Sequence, residues 1–269
     1  MNVSSIVDMI NKPNAAPSDY TGPDGLLYCG KCRTAKQMRG TGPFEGKILS
    51  ITCQCRQTEL QAERETKAAR RIEELRKICL PVKAMHQHTF ASASEAKHIE
   101  VAKRYVRKWE DVRKNNIGLI FWGNTGTGKT FTAHCIANAL IDQQIPVCYV
   151  TSVNLIAKLM DKETRREDYL DKLCNAPLLI LDDVGAERDT AFSREQLCSV
   201  IDARSEAGKP LIVTTNYSKG DMDQSTDPTM QRIFNRLKAC CVPVAIVGES
   251  RRNQIGEDKL QLAREILEI

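Results

Sequence analysis

Aromatic residues make up only 5% of this chain, which excludes a broad base-stacking platform. Long apolar runs are missing as well. The longest are strand-sized, such as Leu178 to Leu181, so nothing is expected to cross a membrane. The first residues carry neither a basic cluster nor the apolar core of a secretory signal, and a cytoplasmic location is the expectation. Neither sign of charge dominates: 39 Lys+Arg face 34 Asp+Glu, a formal +5 that permits nucleic-acid contact without demonstrating it. Internal repeats and long low-complexity tracts are absent. What the chain does have is cysteine, eleven in 269 residues. Without a secretory start these read as reduced thiols and metal ligands rather than disulfides, and the odd count leaves at least one unpaired. The length suits one good-sized domain with a smaller appendage.

Three regions follow from the composition along the chain. Residues 1–56 combine a Pro- and Gly-punctuated leader, with a short helix expected over 4–10 and loose chain to about 25, and a cysteine cluster around a strand at 47–52. Residues 57–84 form a charge-dense linker helix whose few apolar positions make no stripe, so it reads as solvated or bridging. Residues 85–269 alternate between helix and short apolar strand. Helices are expected at 94–113, 129–143, 153–174, 194–207, 229–238 and 258–269, with strands at 118–122, 147–151, 178–182, 211–215 and 242–247. That alternation predicts an α/β fold, a parallel sheet flanked by helices on both faces.

The strand at 118–122 runs into Gly123, Asn124, Thr125, Gly126, Thr127, Gly128, Lys129 and Thr130, a full match to the phosphate-binding loop pattern in its required strand-to-helix context. Glycines let the backbone wrap a polyphosphate with N–H groups inward, and the following helix turns its positive end to the same anion. Lys129 reaches the β- and γ-phosphates, and the Thr130 hydroxyl suits Mg²⁺. A second apolar strand ends in Asp182 and Asp183 and is expected beside the phosphate-loop strand. Asp182 would hold Mg²⁺, and Asp183 would polarise the attacking water. Asp183 is one methylene shorter than Glu, which points to slow hydrolysis suited to a switch. A third strand ends in Asn216, placed to bond the γ-phosphate or the water. Plain turn-capping is the alternative role for these carboxylates and this amide. Arg232 and Arg236 share one helix face, and Arg251 and Arg252 precede the last helix. Ordinary surface arginines are the alternative for each.

In the first region, Cys29 and Cys32 form a C-x-x-C turn and Cys53 and Cys55 a C-x-C, two ligand pairs on either side of a hairpin. Four thiolates suit a closed, structural Zn²⁺ site, and metal binding would supply most of so small a module's folding free energy. Redox-active or simply free thiols are the alternatives. The remaining cysteines read as small buried hydrophobes, and Trp109 and Trp122 as core.

The ordered set of phosphate loop, Asp-Asp strand end, Thr-Thr-Asn strand end, R-x-x-x-R and S-x-R resembles the DnaC/DnaI/IstB group of AAA+ ATPases over about residues 85–255. The stretch from Leu181 through Val184 to Glu187 is especially similar. The resemblance implies ATP hydrolysis, stimulated by partners, with Arg236 as an arginine finger completing a neighbouring copy's site in a homo-oligomer and Arg252 as a second sensor. It implies a replicative helicase as partner, loaded in DNA replication, or a transposase in the transposition-helper branch. An adaptor that holds ATP without turnover is the further alternative. It also implies single-stranded DNA contact near 186–207, where Arg188, Arg194 and Arg204 mix with acidic residues and Phe192 reads as core rather than as a base-stacking ring. An N-terminal zinc module of the kind read at the four cysteines accompanies members of this group and contacts the helicase.

Overall fold

The computed structural model describes residues 15–267; the side chains of residues 252–255 and 258 lie outside that description, as does the short helix expected over 4–10. The chain divides into two compact units, one ending at Arg70 and one beginning at Arg71.

In the first unit, β1 (Tyr20–Thr21) pairs antiparallel with β2 (Leu27–Tyr28), and β3 (Gln37–Arg39) with β4 (Ile48–Ser50). Of the stretch expected to be loose up to 25, the described part around residue 19 is anchored by one carboxylate. Asp19 accepts the N–H groups of Ala16 at 2.7 Å and Gly30 at 3.1 Å, and it pairs with Lys36 at 2.6 Å. A lone Asp among small polar residues carries no periodicity, so this anchor is invisible to pattern reading. Apolar burial here is small: Leu26, Cys29 and Cys53 are its buried hydrophobic residues among those described. Helix α1 (Gln54–Cys79) is exposed over its first turns, where Arg56 pairs with Glu59 and Glu63 at 3.3 and 3.2 Å.

The second unit is built on a five-stranded parallel sheet. Its elements in order are α2 (Lys97–Arg107), α3 (Trp109–Lys114), β5 (Gly118–Trp122), α4 (Lys129–Asp142), β6 (Val147–Thr151), α5 (Ser152–Met160), α6 (Arg166–Asn175), β7 (Leu178–Val184), α7 (Ala191–Glu206), β8 (Leu211–Thr215), α8 (Lys219–Gln224), α9 (Pro228–Cys240), β9 (Cys241–Ala245) and α10 (Arg251–Leu267). The strand order is β6-β7-β8-β5-β9. The Asp-Asp strand therefore does not lie beside the phosphate-loop strand, as the sequence suggested; β8 runs between them. The helix expected over 94–113 is two, divided at Lys108 (φ −103°, ψ 25°), and the break lets Trp109 turn into the core. Helix α10 starts seven residues before the expected 258, spanning Gly256, a poor helix former that argues for a later start.

Alternation along the strands fills both faces of the sheet. Leu119, Phe121, Leu178, Ile180 and Ile212 face a cluster with Trp109, Ile136 and Leu140, while Ile120, Leu179, Leu181 and Val213 face Leu155, Leu173, Leu197, Ile233 and Phe234. The last turns of α1 add Ile72, Leu75 and Cys79 to the first cluster. Fully buried Arg204 takes the place of a hydrophobic plug. It donates to the carbonyls of Leu173, Cys174, Ala176, Pro177 and Pro210 at 2.6 to 3.1 Å, lashing the turn before β7 to the turn before β8. Burial lowers its pKa to about 10 without neutralising it at pH 7. Arg204 is thereby removed from any DNA-facing surface. No helix among the described residues is long and apolar enough to cross a membrane.

Candidate functional site

The phosphate loop leaves the C-terminal end of β5, where strand order reverses between β8 and β9 and an open crevice forms. Gly126 and Gly128 adopt φ of +84° and +105°, and a Cβ at Gly126 would meet Ser250 Oγ at 2.1 Å. The N–H groups of Gly126, Thr127, Gly128 and Thr130 have no acceptor among the described residues. They form a nest of donors at the N-terminus of α4, suited to an anion. Lys129, 5% exposed, threads beneath the loop and donates to the carbonyls of Gly123 and Asn124, both at 2.8 Å.

Asp182 is buried where three hydroxyls converge. Thr130 Oγ1 donates to its Oδ1 at 2.9 Å, Thr214 Oγ1 to the same oxygen at 2.5 Å, and Tyr149 OH to Oδ2 at 2.7 Å. Successive residues of a regular strand face opposite sides of a sheet, so two adjacent aspartates should not serve one site. A bulge solves this. Pairing of β7 with β8 steps from Leu181–Val213 to Val184–Thr215, one residue extra on β7, and Asp183 sits at φ +55°. Thr214 bolts the bulge by accepting the Asp183 N–H at 2.8 Å while donating to Asp182, and Ser152 Oγ donates to the Asp183 carbonyl at 2.7 Å. The intervening strand β8 is what brings Thr214 to this spot.

A cavity of about 560 Å³ opens over the loop. It is lined by Thr125, Gly126, Gly128, Lys129 and Thr130 of the loop and helix start, by Asp183, Ala186, Asn216 and Arg251, and by His88 and Phe131. Asn216 accepts from Thr125 Oγ1 at 3.5 Å. Of the predicted residues, the loop, Asp182, Asp183 and Asn216 are thus brought together. Arg236 does not line the cavity and pairs with Asp202 on α7. The side chain of Arg252 lies outside the described residues, whereas its neighbour Arg251 lines the cavity and donates its N–H to the Gly126 carbonyl at 3.0 Å. The S-x-R frame therefore holds two candidate arginines, and Arg251 is the one described at the cavity. Phe192 is 39% exposed on the first turn of α7, which corrects its reading as a core residue.

Several contributors were not read from the sequence as part of this cavity, His88 being weighed there only with His86 as a weak metal pair. His88 stacks on His134 and meets Phe131 at a tilt of 50°, with its Nδ1 2.8 Å from His134 Nδ1, and His134 packs on Tyr149, which leads to Asp182. Asn138 fixes the His88 segment to α4 by donating to the carbonyls of Met85, His88 and His134 at 2.9 to 3.1 Å. No motif links residues so far apart; spacing within one strand or helix is the only signal a pattern can use.

The second candidate site lies in the first unit. The Sγ atoms of Cys29, Cys32, Cys53 and Cys55 lie within 4.8 Å of one another, with Cys29–Cys55 at 3.6 Å and Cys53–Cys55 at 3.5 Å, and all four are free thiols. Thiolates at roughly 2.3 Å from a tetrahedral ion stand about 3.8 Å apart, so this donor set fits Zn²⁺. The Thr34 hydroxyl 3.1 Å from Cys32 lowers that thiol's pKa to about 5, while neighbouring Cys32 and Cys53 push Cys55 up to about 12.

Residues 54–258 match the family of IstB-like ATP-binding proteins. The replicative helicase loader DnaC of Escherichia coli K12 is 26% identical over 141 residues, covering 51% of this chain and 55% of that protein. The replicative helicase loader DnaI of Bacillus subtilis is 24% identical over 161 residues, covering 55% and 51%. The chain thus spans about half the length of the curated relatives it matches. A crystal structure of the DnaC helicase loader superposes with a TM-score of 0.53 at 24% identity, over 62% of this chain and all of that one, a likeness of fold.

Proposed function

The chain belongs to the family of IstB-like ATP-binding proteins, and from that premise we propose that it is an ATP-driven helicase loader of DNA replication. The observation that carries the reading is the 2.9 Å bond from Thr130 to Asp182, with Asp183 turned by the bulge into the same cavity. The loop amides and Lys129 bind the β- and γ-phosphates of ATP. Thr130 and Asp182 are the pair to hold Mg²⁺, which supplies charge neutralisation at the phosphates. Asp183 accepts the proton of a water attacking the γ-phosphorus as the bridging bond to ADP breaks, and Asn216 orients that water. Arg251 adds positive charge from its own chain, and Arg236 from a neighbouring copy. Arg252 acts from its own chain as the second sensor. The short Asp183 side chain favours slow, partner-stimulated turnover.

The four cysteines hold Zn²⁺ in a module that docks on the helicase, and the work is cytoplasmic. Exposed Phe192 and Arg188 on the segment before and at the start of α7 are the residues suited to single-stranded DNA. Three measurements test the reading together. Lys129→Ala is expected to weaken ATP binding on the order of a hundredfold, and Asp183→Asn to keep binding while turnover falls by a similar factor. Co-purification with a replicative helicase should depend on ATP. Undiminished binding by Lys129→Ala contradicts the site, and selective capture of a transposase redirects the function to transposition. ATP binding with no turnover in the presence of helicase or single-stranded DNA leaves an adaptor.

A further inference from the structure

Arg232 and Arg236, one turn apart on α9, converge on a single carboxylate of α7. Arg236 Nε stands 2.9 Å from Asp202 Oδ1, and Arg232 Nη2 stands 3.3 Å from Oδ2. The Asp202 side chain is 20% exposed, that of Arg236 56%. Arg232 donates to Asp202 Oδ2, whereas Arg236 is drawn to Oδ1 by charge at Nε without an aligned N–H bond, and its two terminal NH₂ groups have no partner among the described residues. Those two groups are one edge of the guanidinium fork that binds phosphate oxygens in a bidentate manner. They cannot serve their own chain's nucleotide, because the cavity there is lined by Arg251 and by neither α9 arginine.

The surroundings explain why one particular carboxylate is needed. The groove between α7 and α9, a cavity of about 600 Å³, is also lined by Glu195 and Glu206. An arginine at its rim without a fixed partner has two other acidic side chains to turn to. Asp202 is the best fixed of the three, since it is the most buried and also accepts the Cys198 thiol at 3.7 Å.

We propose that Asp202 is the positioning residue of a site shared between two copies of this chain, its charge keeping the Nε side of Arg236 against α7 so that the terminal NH₂ groups face the γ-phosphate bound by the second copy. This rests on the reading of Arg236 as a finger acting in trans, so the test separates the two. Full-length Arg236→Ala, with an intact cavity and no finger, is mixed with Lys129→Ala, with an intact finger and a disabled cavity. Turnover of the mixture should exceed that of either alone by roughly a hundredfold. Asp202→Asn is then placed only in the Lys129→Ala partner. Rescue should fall on the order of tenfold in kcat with KM for ATP unchanged, because the finger no longer points and ATP still binds in the other copy. Asp202→Glu in the same position should recover part of the loss. Thermal unfolding of each variant keeps a folding defect apart from a positioning defect. Unchanged rescue with Asp202→Asn overturns the role of Asp202 and leaves the finger standing. Absence of any rescue in the first mixture overturns the finger in trans, and the proposal with it.

Discussion

The two candidate sites of this chain reach order by opposite routes. At the nucleotide cavity, side chains are held by a sheet whose both faces are filled, so loop, bulge and carboxylates stand ready before any ligand arrives. In the first unit the buried hydrophobic residues among those described are Leu26, Cys29 and Cys53, two of which are themselves thiol donors. In one region the fold makes the site; in the other, on the proposed reading, a bound Zn²⁺ would have to make the fold. Ligand removal should therefore silence the first and dissolve the second.

The sharpest way to break that contrast is to withhold the proposed Zn²⁺. Structural zinc contributes about 10 kcal/mol or more to modules with so little core, so chelation or Cys32→Ser should abolish ordered structure in the first unit. Amide exchange is expected to lose protection across β1 to β4 and to keep it across β5 to β9. Both tryptophans, Trp109 and Trp122, lie in the second unit and should report an unchanged unfolding transition. Protection in β3 and β4 that survives chelation would show a core sufficient without metal.

Acid probes the opposite region. His134 is 3% exposed, with its Nε2 buried and unpartnered, and burial holds its pKa down at about 4. Its neighbours across the contact are His88 Nδ1, the Tyr149 ring and, through Tyr149, Asp182. The folded state favours the neutral imidazole, so its contribution is intact above the unfolded value near 6.5 and is lost as pH falls from there towards 4. Between pH 7.5 and 5 the second unit should lose about 2 kcal/mol relative to a His134→Gln protein followed by tryptophan fluorescence. Equal losses in both proteins would remove His134 from the account.

The contrast between regions also marks what could be read from sequence. Residues of fixed type at fixed spacing were legible as groups that the fold gathers: the glycines and Lys129 of the loop, the carboxylates near the end of β7, the two cysteine pairs, and the apolar runs of all five parallel strands. What stayed hidden depends on partners remote in the chain. The bulge that turns Asp183 inward exists only in the pairing of β7 with β8, and Thr214 matters because β8 happens to run between β7 and β5. Phe192 falls within a helix of mixed pattern whose burial is decided by α9 and not by its own turn. Asp19 and Arg204 satisfy backbone groups, a role that depends on where the chain folds back and leaves no periodic trace.

The finest test of a pre-built site is Tyr149. Its hydroxyl is one of three on Asp182, 33 residues away in sequence, and its ring packs against His134 at 4.8 Å between centroids. Tyr149→Phe keeps the ring and deletes only the bond to Oδ2. With Thr130 and Thr214 still holding Oδ1, the carboxylate should loosen rather than leave, a loss of about 1 kcal/mol. Turnover should therefore fall roughly fivefold, with half-saturation by Mg²⁺ rising by a similar factor and KM for ATP little changed. The same magnesium titration on Cys32→Ser should match the unaltered protein, because that substitution leaves the three hydroxyls on Asp182 in place. A Tyr149→Phe titration superimposable on that of the unaltered protein would mean that two threonine hydroxyls suffice to orient Asp182, and that the tyrosine serves packing alone.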